Sequence, residues 1–336
     1  MKMTKQEKMI WGILAGALVL LFLLSSTDLI IKEKETEVYP VSVIIGDTTD
    51  DYCVNFRKGV DKAADEYNVD VSFITLYERG DEAQQIELLK REIDDGAKAV
   101  VLAPLKQQEC NEMLEGMALA APLIIMGEIF PGDWAMSGIA PDYQEAGTKL
   151  GEAVIKENAP DQPVVVFSEG LEYGNNRKVY GALLETLHKE GFRVRLYEQY
   201  RDGIADTYGE PNEDMVRQVM EEAVKPGGEG AVIVALDAPS MDLAAGAAAE
   251  HPGDGTYRPN LYGYGSTTKI LNQMDRGVIK GLVVTNEFDA GYLSVVKAVE
   301  AIEKRSDREQ IELDSYYIEK DDLRDVFFEK ILYPIE

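Results

Sequence analysis

From Pro40 onward, short apolar runs alternate with stretches in which apolar residues recur every three or four positions. Val41–Ile45 reads as a buried strand. Asp51–Tyr67 follows as a helix with Phe56, Val60, Ala63, Ala64 and Tyr67 on one face. Val69–Leu76 is a strand, and Asp81–Asp95 is a helix with Ile86, Leu89 and Ile93 inward that Gly96 ends. Ala99–Ala103 is a strand stopped by Pro104. A helix through Met113 and Met117 leads to the strand Leu123–Met126. Such alternation predicts parallel strands with helical crossovers and both sheet faces covered, because parallel strands cannot be joined by a tight turn.

The pattern then restarts. Helices are predicted over Tyr143–Asn158, Asn175–Lys189, Glu213–Val224, Ser240–Ala249 and Ala290–Lys304. Strands are predicted over Pro163–Phe167, Phe192–Tyr197, Ala231–Ala235, Leu261–Tyr264 and Ile279–Thr285. The stretches VSVIIGDTTDDYCVNFRKGVDKAADEYNVDVSF and PVVVFSEGLEYGNNRKVYGALLETLHKEGFRVRL share the order strand, polar loop, helix, strand. Two lobes of like architecture follow, rather than a short-period repeat. Asp314–Glu336 adds a further strand and crosses back over the hinge.

The N-terminus breaks this pattern. Lys2, Lys5 and Lys8 precede Ile10–Leu24, which holds no charge. A basic flank before an apolar run is how an export signal reads. As a helix the run spans about 23 Å, short of a hydrocarbon core of about 30 Å, and extending it over residues 9–27 makes a membrane span workable. Ser25-Ser26-Thr27 is a poor cleavage site, and no cysteine follows until Cys53, so lipid attachment is unsupported. The segment reads as an uncleaved signal anchor, with a cleaved signal peptide as the alternative. Either way the body lies outside the cytoplasm.

Composition narrows the function. The 336 residues carry 34 basic and 61 acidic side chains, a net charge of −27. Residues 1–38 are neutral, so the acid belongs to the folded body. That charge argues against nucleic acid as a partner, since a phosphate backbone requires a basic footprint. Two cysteines exclude a disulfide scaffold and a multi-Cys zinc domain, and two histidines argue against His-based catalysis or metal binding. Cys53 and Cys110 either form one disulfide or stay as separate thiols on opposite sheet faces. No HExxH, CxxC, G-x-S-x-G or phosphate-binding loop is present, so no enzyme, cofactor or metal is expected. Gly263–Gly265 suits a tight strand-end turn better than a phosphate cradle, and His188 and His251 read as solvated.

Several segments carry a family resemblance when taken in order. They are FRKGVDKAADEYNVDV, DEAQQIELLKREIDDGAKAVVLAP, PLIIMGE, IAPDYQEAGTKLGEAV, NNRKVYGALLETL, LYGYGS and GLVVTNEFDAGYLSVVKAVEAI. Over about Tyr39–Ile318 the chain resembles the type I periplasmic binding proteins of the ribose- and galactose-binding kind. The resemblance implies an α/β fold of two Rossmann-like lobes with parallel sheets, joined by three crossovers near Ile139–Pro141, Tyr264–Ser266 and Asn286–Asp289. The expected division is an anchor and linker over 1–38, a first lobe from 39–139 plus 265–286, a second from 140–264 plus 287–318, and a C-terminal extension over 319–336. Repressors with this core carry a helix-turn-helix where this chain has its apolar segment.

The ligand then belongs between the lobes, at the carboxyl ends of the strands. By position the resemblance puts Asp50 and Tyr52 there, the acid to accept hydroxyls and the ring to stack on a sugar face. Asp47, Asp50 and Asp51 alternatively cap the following helix. Their spacing matches no calcium loop. Gly127-Glu128 stands where sugar binders of this kind often place Asp-Arg, so Glu128 would replace the arginine as an acceptor. Arg177 and Lys178 precede Gly181, with Asn175 or Asn176 as the cap. Asp237 keeps one half of a usual Asn-Asp pair, Ser266 replaces an Asp, and Thr285 and Asn286 occupy the last crossover. Trp134 is either a rim aromatic or local packing. The resemblance implies a solute-binding protein that closes on a small polyhydroxy ligand, a sugar or polyol, with the permease of an ABC importer as partner. A membrane histidine kinase reading the same closure is the alternative partner.

Overall fold

A computed structural model of the chain describes residues 4–26, 37–46, 53–76, 81–129, 135–202, 212, 215, 232–250, 260–305 and 307–334. The chain forms two separate units, Met1–Val38 and Tyr39–Glu336. In the first, Lys5–Ser26 is one helix, α1, whose apolar side chains from Met9 to Leu23 are exposed. By length and composition alone it suffices to cross a membrane.

The second unit holds two six-stranded sheets. The first is built from β1 (Tyr39–Ile45), β2 (Val69–Thr75), β3 (Ala99–Leu102), β4 (Leu123–Met126), β5 (Ser137–Pro141) and β11 (Glu309–Leu313), in the order β11-β5-β4-β3-β1-β2. All its pairings are parallel. The central strands are continuous apolar runs because both faces are covered: α2 (Cys53–Tyr67) and α9 (Glu287–Ile302) lie on one side, α3 (Glu82–Asp94) and α4 (Gln107–Leu114) on the other. At the edge, β2 instead alternates polar and apolar residues.

The second sheet repeats the plan with β6 (Val164–Ser168), β7 (Val194–Glu198), β8 (Val232–Ala235), β9 (Asn260–Tyr264), β10 (Gly281–Thr285) and an antiparallel edge strand, β12 (Ser315–Glu319). One face packs α5 (Tyr143–Glu157) and α6 (Asn176–Lys189). The other packs α7 (Ala238–Glu250), α8 (Thr268–Asp275), the 3-10 turn Lys320–Arg324 and α10 (Val326–Leu332). The helix expected over Glu213–Val224 lies outside the described residues, apart from Met215.

The expected α/β fold of two sheet-centred lobes is what forms, but the lobe boundaries differ. The chain passes between lobes at Asp142, at Asn286 and at Asp314, not near Tyr264–Ser266. Residues 265–285 stay in the second lobe because β10 pairs with β9 and β12. Helix α9 belongs to the first lobe, packed on α2, and β11 joins β5 there. The physical reason is α8: Thr267 caps it through Ile270 N, and it makes β9-α8-β10 an ordinary crossover unit. Gly265, at φ +126°, turns the chain into that helix where an L side chain would be strained.

Cys53 packs with the cluster on one face of the first sheet and Cys110 with the cluster on the other, and the two are not joined in a disulfide. The C-terminal segment does return across the lobes. Its Leu332 and Leu323 pack in the second lobe, while Asn55 Nδ2 of α2 donates to Leu332 O at 2.9 Å and Lys58 Nζ to Pro334 O at 3.1 Å.

Glycine sets the helix crossings in both lobes. A Cβ on Gly59 would lie 2.0 Å from Phe288 O, and one on Gly291 would lie 2.0 Å from Phe56 O. A Cβ on Gly147 would lie 2.2 Å from Val179 O, so the α5–α6 contact uses the same device. Gly181, in α6, faces open space. Gly291→Leu should therefore lower the melting temperature by about 3 °C or more through overpacking. Gly181→Ala should leave it unchanged or raise it, since alanine is the better helix former by about 1 kcal/mol. Scanning fluorimetry of the two variants checks both expectations.

Candidate functional site

The carboxyl ends of the two sheets meet. From the first lobe come the loop after β3, Ala103–Lys106, and Gly127-Glu128 after β4. From the second come Glu169–Asn175 after β6 and the first turn of α6. They touch directly: Gly174 N donates to Leu105 O at 2.7 Å, and Asn175 Nδ2 reaches Gln107 Oε1 at 3.4 Å. The Lys106 ammonium lies 5.2 Å over the Tyr173 ring, and Lys178 forms an ion pair with Glu128. The lobes are closed on one another.

The first-lobe loops are held from within. Gln85 is fully buried, donating to Ala103 O at 2.9 Å and accepting from Leu105 N at 3.2 Å. Glu82 accepts from Lys106 N at 2.8 Å, and Gln107 Nε2 donates to Glu128 O at 2.9 Å. Gly127 is needed beside it, because a Cβ would fall 2.3 Å from Gln107 Oε1. Burial pushes the Glu82 carboxyl and the neighbouring Cys110 thiol above their usual ranges.

At the hinge end of the cleft sits a cluster from four elements: Tyr143 at the start of α5, Tyr264 at the end of β9, Thr285 at the end of β10 and Glu287 at the start of α9. Thr285 Oγ1 donates to Glu287 Oε1 at 2.7 Å and lies 3.3 Å from the Tyr264 hydroxyl. The Tyr143 hydroxyl meets the Asn175 side chain. These tyrosines and Glu287 keep some accessible surface although protein surrounds them, as the wall of an enclosed cleft does. Burial raises the Glu287 carboxyl above its ordinary value, and burial together with the charge of Glu287 raises both tyrosines.

The sequence-derived candidates fare unequally. Glu128 and Lys178 are brought together, and each answers the other across the lobes. Thr285 is buried and holds Tyr264 and Glu287. Asn286 is an N-cap, accepting from Asp289 N at 3.1 Å. Asp237 is 7% exposed and committed to the second lobe. Its Oδ2 accepts from Ser168 Oγ at 3.2 Å, Glu169 N at 3.0 Å and Asn176 Nδ2 at 2.8 Å, and its Oδ1 from Ser240 N at 2.9 Å. Those four donors make it a fastener of strand ends. Arg177 is exposed, with no ion pair among the described residues, and Ser266 is half-buried beside Thr267. Asp50, Tyr52 and Trp134 lie outside the described residues. The pattern reading missed Tyr143, Tyr264, Glu287, Gln107 and Asn175. The available signal was position: each borders a strand end or a crossover.

A family model described as "periplasmic binding protein domain" matches residues 41–306. The chain belongs to the periplasmic binding protein family. It is thus a binding protein rather than an enzyme, with a domain whose family implies a place outside the cytoplasm. No curated protein matches it by sequence. Solved structures share its fold. GanP, a glucose-galactose binding protein of Geobacillus stearothermophilus, is 16% identical with a TM-score of 0.71, covering 86% of this chain and 99% of its own. A carbohydrate transporter solute binding protein of Agrobacterium radiobacter, in complex with D-arabinose, is 19% identical with a TM-score of 0.74, covering 88% and 98%. A chain of the XylFII-LytSN complex is 14% identical with a TM-score of 0.70, covering 85% and 99%.

Asp237→Asn places an amide donor among four donors, which should cost about 1–3 kcal/mol. The melting temperature of that variant should fall by several degrees, whereas Arg177→Ala should leave it unchanged. Thermal unfolding of both variants beside the parent chain is the measurement.

Proposed function

We propose that the chain is an extracytoplasmic solute-binding protein that closes on a small polyhydroxy ligand, a sugar or polyol, and delivers it to the permease of an ABC importer. The observation that carries this reading is the closed cleft at the strand ends, lined by Tyr143, Tyr264, Glu287, Asn175 and Gln107. Such groups accept and donate hydrogen bonds to hydroxyls and offer ring faces to an apolar sugar surface. The arabinose complex of a protein with the same fold supports the ligand class. The candidate contacts Asp50 and Tyr52 from the loop after β1 complete the site in this reading. Helix α1 would serve as a single-pass anchor that keeps the body at the membrane surface.

Closure is set up to be controlled by ligand. Among the described residues the contacts across the cleft are one backbone hydrogen bond, one long amide contact, a cation over a ring and a half-exposed ion pair, and outside the cleft Asn55 and Lys58 of the first lobe also donate to the C-terminal segment. Hydrogen bonds contribute about 1 kcal/mol each and such ion pairs about 0–1 kcal/mol. A ligand at one hundred times its Kd contributes about 2.7 kcal/mol, the same order as these cleft contacts.

A second reading is a ligand-sensing subunit that signals to a membrane histidine kinase. It draws support from the shared fold with a chain of the XylFII-LytSN complex, and from the apolar helix, which would hold the domain near a membrane partner.

A thermal-shift screen against monosaccharides, polyols, amino acids and nucleosides tests the ligand class. A sugar or polyol should raise the melting temperature by several degrees at saturating concentration, and Tyr52→Ala should abolish that shift. A response confined to amino acids or anions would sink the reading. Gene deletion separates the two partners: lost solute uptake marks import, and a lost transcriptional response with normal uptake marks sensing.

A further inference from the structure

Among the described residues, the wall of the cleft carries an acid with no ion-pair partner. Glu287 has one hydrogen-bond partner among the described residues, the Thr285 hydroxyl. Of the cleft's cations, Lys178 is engaged with Glu128 and Lys106 with Glu109 at 3.7 Å and the Tyr173 ring, while Arg177 in the first turn of α6 is exposed and forms no ion pair with Glu287. The groups facing Glu287 are Tyr143 from α5, Tyr264 from β9 and Thr285 from β10. Glu128, from the end of β4, also acts on Tyr143, but its charge is answered by Lys178. An enclosed carboxylate without a cation is costly, and the cost disappears when a positive charge arrives with the ligand. The cleft sits in a body whose net charge of −27 draws cations toward it and repels anions.

A simpler role for Glu287 is to complement the dipole of α9 from its first turn. That role is already served by Asp289, which Asn286 caps. It also needs no enclosure, whereas Glu287 is turned to the same side as two tyrosines from the other lobe.

We propose that the ligand of this cleft is a polyhydroxy molecule bearing a protonated amine, such as an amino sugar, whose ammonium group pairs with Glu287 beside Tyr143 and Tyr264. This rests on the solute-binding reading above and narrows its ligand class. The amine supplies the missing counter-charge, and the hydroxyls take the amide and phenol groups of Gln107, Asn175 and the tyrosines. Binding requires Glu287 ionised. Because burial raises its pKa, affinity for the amine should fall as the pH is lowered through that value, while the ligand itself stays charged.

Titration calorimetry of the full detergent-solubilised chain at pH 6.5 tests this. The probes are D-glucosamine, D-galactosamine and D-mannosamine, each beside its neutral parent hexose and its N-acetyl form. At least one amine should bind tenfold or more tightly than both uncharged counterparts, and Glu287→Gln should reduce that amine's affinity at least tenfold. Neutral hexoses binding as tightly as their amines would overturn the proposal and leave the sugar reading standing. An amine preference that survives Glu287→Gln would overturn the role of Glu287. No binding by any saccharide would overturn both readings. The comparison of amine with parent sugar in the unaltered chain decides the ligand class even if the variant fails to fold.

Discussion

Helices α2 and α9 come from distant parts of the chain and approach until backbone meets backbone at Gly59 and Gly291. The rest of the structure depends on that contact. Helix α9 leaves the second sheet from β10 and has its apolar face satisfied only in the first lobe, against α2 and the strands beneath it. The chain must therefore cross between lobes at Asn286, and the crossing carries Thr285 and Glu287 to the boundary. It then returns through β11 and β12, which closes one edge of each sheet. Removing the close approach would leave α9 without a seat and the hinge without its middle strand.

Within each lobe the structure is stiff, and between lobes it is lightly held. Strands such as Val100–Leu102 and Val164–Val166 are sealed on both faces, and buried polar fasteners tie their ends. Asp237 gathers four donors in the second lobe, and Gln85 with Glu82 gathers the loop after β3 in the first. Across the cleft the contacts are few and partly exposed. This contrast suits rigid bodies that move relative to one another, with hinge motion confined to a few residues at the ends of elements. It also explains why the cleft residues are polar while the residues behind them are packed.

Most elements were legible in the sequence because burial on both faces leaves uninterrupted apolar runs, as in Val41–Ile45 and Leu123–Met126. Strand β5, with its Gly138 and Pro141, and the short helix α8 lack that signature and went unread. The missing α8 displaced the middle crossover by about one unit, which exchanged the lobe membership of 265–286 and α9. The site was legible only in outline. Glu128 and Lys178 were found by position, but nothing in the sequence says that they satisfy each other. Asp237 looked like a free carboxylate because its four donors come from three separate segments. Tyr143, Tyr264 and Glu287 meet only through tertiary structure, so no local pattern announces them.

The number of crossings is odd, and that has a mechanical consequence. A chain that passes between two bodies three times must end in the body it did not start in. Residues 1–38 feed into β1 and so into the first lobe alone, while β12 and α10 finish on the second. Any pull or restraint applied through the N-terminal helix is delivered to one side of the hinge. Under the proposed anchoring, the second lobe would be the moving jaw and the first the fixed one. A partner that measures their relative position would then take the first lobe as its reference point.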